Sequence, residues 1–191
     1  MTKRILLAGV LGGLGLFFWG GLSHVVLGLG DAGMQFLPQQ ETVMPAMKAA
    51  MPQPGLYAFP QGTKPGALRP DQVGGAWGML VYHPTGATDN IGSRLLNECI
   101  LNIVLATLAA FLLSRTPLFG YAPRVGFVVV VGLITALMTN VEFWNWYGFP
   151  AIYTVSNVFD NVVGFLIVGL IAAVFVKPVE ARVLSMPAKA A

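Results

Sequence analysis

Apolar positions along the chain gather into four long runs, at residues 5–29, 95–113, 123–146 and 154–176, separated by stretches rich in polar residues, glycine and proline. A hydrocarbon core about 30 Å thick takes roughly 20 helical residues per crossing, and each run reaches that length with few or no charges at its centre. None alternates with the period of two that a barrel strand requires. The pattern predicts an all-α membrane protein: a single integral membrane domain of four transmembrane helices spanning residues 1–191. The first run follows Lys3 and Arg4, as a secretory signal would. It is longer than the roughly 7–15 apolar residues of a signal core and continues through Trp19 and His24, so it is read as an uncleaved helix.

Between the first two runs lies an insertion, residues 30–92, expected to form a small extracytoplasmic α+β subdomain. Thr42 is placed to cap a short amphipathic helix with Met44, Met47 and Met51 on one face, and Pro45 is expected in its first turn. Two aromatic and β-branched runs, 55–60 and 76–84, are bounded by Gly and Pro and predict a β-hairpin with a long connection. A lone hairpin is marginal in water, so this piece is expected to lean on the bilayer or on a partner. The tail, residues 177–191, is expected to add little structure.

Composition strengthens the membrane reading. The 191 residues are 55% hydrophobic and 10% charged, against about a quarter charged in soluble domains. Mean hydropathy is +0.71 and the pI is about 9.2. With the N-terminus cytoplasmic, seven basic residues fall inside (Lys3, Arg4, Arg115, Arg124, Lys177, Arg182, Lys189) and four outside (Lys48, Lys64, Arg69, Arg94). The positive-inside bias therefore favours both termini in the cytoplasm. These basic residues flank spans and make no stripe with interleaved aromatics, which excludes a nucleic-acid partner. The expected partners are the lipid bilayer and other membrane subunits or a second copy.

Polar residues within the runs cluster at one depth. His24, Glu98, Asn102, Thr139, Asn140, Glu142, Asn157, Asp160 and Asn161 all lie toward the outer ends of their spans, roughly 5–12 Å below the boundary at 1.5 Å rise per residue. The inner halves are almost wholly apolar. Arg94, Glu98 and Asn102 recur every four residues, as do Gly20 and His24, so each helix confines its polar groups to a limited face. An unpaired charge in hydrocarbon costs several kcal/mol, so these faces are expected to point into the bundle and meet. His24, Glu98, Asn102, Glu142, Asp160 and Asn161 are the candidate ligand-binding set. A histidine and two carboxylates, His24, Glu98 and Asp160, also make an acceptable set for a divalent metal, although no diagnostic spacing links them. The alternative is that these groups satisfy one another. Trp144, Trp146, Tyr147 and Tyr153 are the aromatic residues that a headgroup region selects.

Other signals carry no chemistry. The GxGxxG match at 28–33 follows a helix where a dinucleotide site needs a strand. Cys99 is the sole cysteine, so no intrachain disulfide or CxxC centre exists. His83 precedes a proline in a turn without a paired carboxylate or nucleophile, and Ser23 beside His24 is not a triad. Gly9 and Gly13 form a small-xxx-small pair suited to close helix approach.

The motifs WGGLSH (19–24), PGLYAFP (54–60), YHPTG (82–86) and FWNWYGFP (143–150), closed by a fourth apolar span, make the chain resemble a group of small four-helix bacterial inner-membrane proteins without an assigned activity. The resemblance covers most of the chain and implies this topology and a bacterial source. With no catalytic constellation in the chain, the leading expectation is a non-catalytic accessory or structural subunit of a larger membrane assembly. The alternative is an outward-facing binding protein for a small ligand or divalent metal. The sequence leaves the cofactor unknown.

Overall fold

The computed structural model describes residues 2–60, 75–86 and 90–179. The tail beyond 179 and most of the hairpin connection, including Lys64 and Arg69, lie outside the described residues. Helix α1 (Thr2–Gly21) continues into a π-helical turn, Leu22–Val26. It is followed by α2 (Gln40–Ala50), the strands β1 (Gly55–Phe59) and β2 (Gly78–Tyr82), and α3 (Ile91–Leu113). Next come α4 (Tyr121–Ala136), a second π-helical turn (Leu137–Val141), α5 (Glu142–Tyr147) and α6 (Ala151–Phe175). Four helical segments are long and apolar enough to cross a membrane: Thr2–Val26, Ile91–Leu113, Tyr121–Tyr147 and Ala151–Phe175. The second begins four residues earlier than hydropathy places it, because the Asn90 side chain accepts the Ser93 amide at 2.9 Å and caps the helix through a polar stretch.

The helices run alternately up and down, so α1 starts and α6 finishes at one end, and the hairpin sits at the other. Helix α1 packs extensively on α3 and α6, and α6 on α4, whereas α3 meets α4 and α6 only lightly. The four spans therefore follow the order α3, α1, α6, α4, with thin packing between α3 and α4. Glycines set these contacts. A Cβ at Gly9 would come within 2.8 Å of the Thr107 Cα, and one at Gly13 within 2.6 Å of the Ile103 nitrogen, so the α1 and α3 backbones touch as the small-residue pattern predicts. Gly15 receives Ile167, and Gly132 leaves the gap that Phe165 fills. The core, which includes Ala8, Ala106, Ala110, Leu113, Val168 and Ala172, lies in the half nearer the termini.

At that same end α4 closes off α6. Arg124 Nη1 donates to the Ala173 carbonyl at 2.8 Å and Tyr121 Oη to the Leu170 carbonyl at 2.9 Å. Carbonyls in the last turns of a helix carry the negative end of its dipole and attract the guanidinium, whose Nη2 is nevertheless buried without a hydrogen-bond partner.

At the opposite end β1 and β2 form the expected antiparallel hairpin, with Tyr57 opposite Leu80 at its centre. It leans on the loop between α5 and α6: the Trp77 indole lies over Gly148, where a Cβ would sit 2.6 Å from the ring. Gly148 also has φ +70°, so both the turn and the close approach require glycine. The expectation for α2 needs correcting. The helix starts at Gln40 after Gln39, which has φ +51° and whose carbonyl takes the Thr42 and Val43 amides. Thr42 is inside the first turn and is not the cap. Pro45 accordingly falls in the second turn, where the carbonyl it leaves unpaired belongs to the exposed Glu41 and can take water. Gly33, from the GxGxxG match, has φ +81° and packs beside Pro150 and the Tyr153 amide at the start of α6.

Candidate functional site

From the Gly13–Ile103 contact toward the hairpin end, α1 and α3 diverge. The space between them is a cleft of about 710 Å³ lined on α1 and its π turn by Phe17, Phe18, Gly20, Gly21, Leu22, His24, Val25 and Val26, and on α3 by Leu95, Glu98 and Asn102. Glycine again shapes it: a Cβ at Gly20 or Gly21 would meet nothing within 4 Å. The volume is within the roughly 300–1,000 Å³ of pockets that take small organic ligands.

Three of the six candidate residues share this cleft. Asn102 lies where the helices begin to separate and is only 5% exposed, yet its amide has no hydrogen-bond partner among the described residues. The polar atoms sealed from solvent without a partner among the described residues are Arg124 Nη2 and Asp160 Oδ1, so the Asn102 amide opens onto the cleft, where water reaches it. Glu98, one turn nearer the hairpin end, is exposed to the cleft. The position of His24 is set by the π turn. Ser23 is fully buried and its hydroxyl donates to the Gly20 carbonyl at 3.2 Å, while His24 Nδ1 lies 3.1 Å from the same carbonyl and 3.0 Å from Ser23 Oγ. Gly30 covers the ring, and a Cβ there would come within 2.9 Å of its Cγ. A π-helical turn widens the backbone by one residue and is frequent at functional sites. Two such turns, one ending the first span and one within the third, lie at the level of the polar residues.

The other three candidates lie elsewhere. Helix α1 stands between α3 and α6, and Trp19, on its α6 side, donates from Nε1 to the Asp160 carbonyl at 3.1 Å. Asp160 therefore faces the α1–α6 seam, and its Oδ1 is buried without a hydrogen-bond partner. Asn161 donates to the Asn157 carbonyl at 2.9 Å, and Glu142 opens α5 in an exposed position. The expected meeting of these polar side chains across helices is replaced largely by bonds to their own backbone. Asn140, Thr154 and Asn157 each donate to the carbonyl four residues earlier, as Asn161 does. Such back-bonding satisfies a polar group without any neighbour. Among the described residues no group of three His, Cys, Asp or Glu side chains could hold a metal ion, so His24, Glu98 and Asp160 do not converge as a metal centre.

A second concavity, about 560 Å³, separates the hairpin from the α5–α6 loop and includes Phe59, Trp77, Met79, Tyr147 and Phe149. The rings of Phe143, Phe149 and Tyr153 pack in sequence, with centroids 5.2 and 5.3 Å apart. Trp144 and Trp146 stay exposed. The hairpin and this loop cover each other and leave the α1–α3 cleft open. Reading the sequence alone misses Phe17, Phe18, Gly21 and Leu95 as cleft residues. The one available signal is the adjacent pair Gly20-Gly21 a turn before His24.

The architecture is that of a helical protein with four bilayer-length segments and a lateral cleft carrying an imidazole, a carboxylate and an amide. The chain matches no protein-family model, no curated protein and no solved structure.

Proposed function

We propose that the protein is a non-enzymatic, multi-pass protein of a bacterial inner membrane, both termini cytoplasmic, that binds a small amphiphilic ligand in the α1–α3 cleft from the extracytoplasmic side. The observation that carries this reading is the placing of His24, Glu98 and Asn102 on the walls of one cleft whose other lining residues, among those described, are glycine or apolar. An amide and a carboxylate at that depth are costly unless something polar meets them. A ligand with an apolar body and one polar end supplies that contact and fills the cleft. Native mass spectrometry of protein released from nanodiscs tests it. Wild type should carry a small molecule at 1:1 stoichiometry, and Gly21→Leu, which projects a side chain into the cleft, should not. Identical spectra with no adduct in either would end the proposal.

A second reading, an accessory subunit of a larger membrane assembly, is favoured by the thin packing between α3 and α4. A partner helix seated there would complete the bundle. Gentle extraction followed by native mass spectrometry should then yield a hetero-complex or a homo-oligomer, and a free monomer under every mild condition would remove this reading.

A further inference from the structure

We infer that the α1–α3 cleft selects hydrophobic monocations; this rests on the cleft being a ligand site. Acceptor atoms are present on its walls. The Gly20 carbonyl can only accept, so His24 Nδ1 at 3.1 Å carries the imidazole proton, and Ser23 Oγ, 3.0 Å away and itself donating to that carbonyl, can only accept from it. Glu98, when ionised, has acceptors only, and the Asn102 amide can present its oxygen. Among the described residues no Lys or Arg lines the cleft, and its one charged side chain is a carboxylate, which does not favour a phosphate or carboxylate ligand. Phe17 and Phe18 supply ring faces and edges in contact at 6.0 Å between centroids. Aromatic faces attract cations, most strongly where water is excluded. With Leu22 and Leu95 completing the walls, the chemistry recognised is one positive charge on an apolar body, such as an organic ammonium or phosphonium. A zwitterionic phospholipid head fits less well, because its phosphate would face Glu98.

The test uses full-length protein in phosphatidylcholine nanodiscs and two ions of matched shape, tetraphenylphosphonium and tetraphenylborate, with protein-free discs as the partition baseline. Calorimetric titration should show the cation binding at least tenfold tighter than the anion. Glu98→Gln, which keeps the shape and removes the charge, should erase the preference, and Gly21→Leu should abolish saturable binding. Equal affinities for the two ions, both lost in Gly21→Leu, would overturn the charge selectivity while leaving the cleft as a ligand site. A preference that survives Glu98→Gln would overturn the role given to that carboxylate. Absence of saturable binding by either ion would overturn the inference and count against the ligand site as well.

Discussion

Replacing Gly13 with alanine adds one methyl group at the point where α1 and α3 come closest. The new Cβ would lie 2.6 Å from the Ile103 nitrogen and 2.8 Å from its Cγ1, and the nitrogen belongs to a helix backbone that cannot rotate away. Ordinary carbon contacts settle at about 3.5–4.0 Å, so the helices must part by about 1 Å, a gap that forfeits a quarter to a half of each dispersion contact along the seam. Overpacking of this kind costs about 1–3 kcal/mol, which for a chain of this length lowers Tm by about 2–12 °C. Two neighbours serve as controls. A Cβ at Gly12 would be 3.3 Å from the Ala106 Cβ, and one at Gly21 would meet nothing within 4 Å. Gly12→Ala should therefore shift Tm little, and Gly21→Ala should be neutral or slightly stabilising, since alanine is the better helix former. Thermal unfolding in a mild detergent, followed by circular dichroism, reads all three. If Gly13→Ala melts with Gly21→Ala, the close α1–α3 crossing is wrong.

Further substitutions probe other contacts. Tyr121→Phe removes the donor to the Leu170 carbonyl and should destabilise by about 0.5–1.5 kcal/mol in detergent unfolding; an unchanged midpoint would deny the closure of α6 by α4. Gly148→Ala forces a side chain to φ +70° and displaces Trp77, so amide exchange in β1 and β2 should accelerate while α1 and α3 stay protected. Exchange unchanged in the hairpin would mean that it does not rest on this loop. Asp160→Ala deletes an orphaned buried acceptor whose burial costs about 1–3 kcal/mol, and should raise Tm; a lowered Tm would reveal a partner for that oxygen.

The four bilayer-length segments were legible because length and apolarity alone define them, and Asn90 explains why hydropathy started the second one late. Gly9 and Gly13 were legible as a contact pair, although their partners Thr107 and Ile103 were not, since no helix wheel names the neighbour it touches. The common depth of the polar residues could likewise be counted off the sequence. What they bond to could not. Asn157 and Asn161 look alike as polar positions whether they reach across a bundle or turn back on the preceding turn, and the structure has them turn back. Asp160 and Glu98 sit at similar depth but on opposite sides of α1, a fact of packing order that spacing within one helix does not contain. The π turns at Leu22–Val26 and Leu137–Val141 are also silent in the sequence, because a widened turn leaves the apolar run intact.

The claim on which the account turns is that α1 and α3 touch at Gly13 and stand apart at Gly20, with the gap filled by a bound molecule. An electron cryomicroscopy map of the full-length protein in nanodiscs, enlarged by a bound antibody fragment, measures this directly. The account predicts separated helix ends with non-protein density against Gly20, Gly21, Glu98 and Asn102. Helices in continuous contact up to Leu95, with no such density and with Asn102 bonded to a neighbouring side chain, would contradict it.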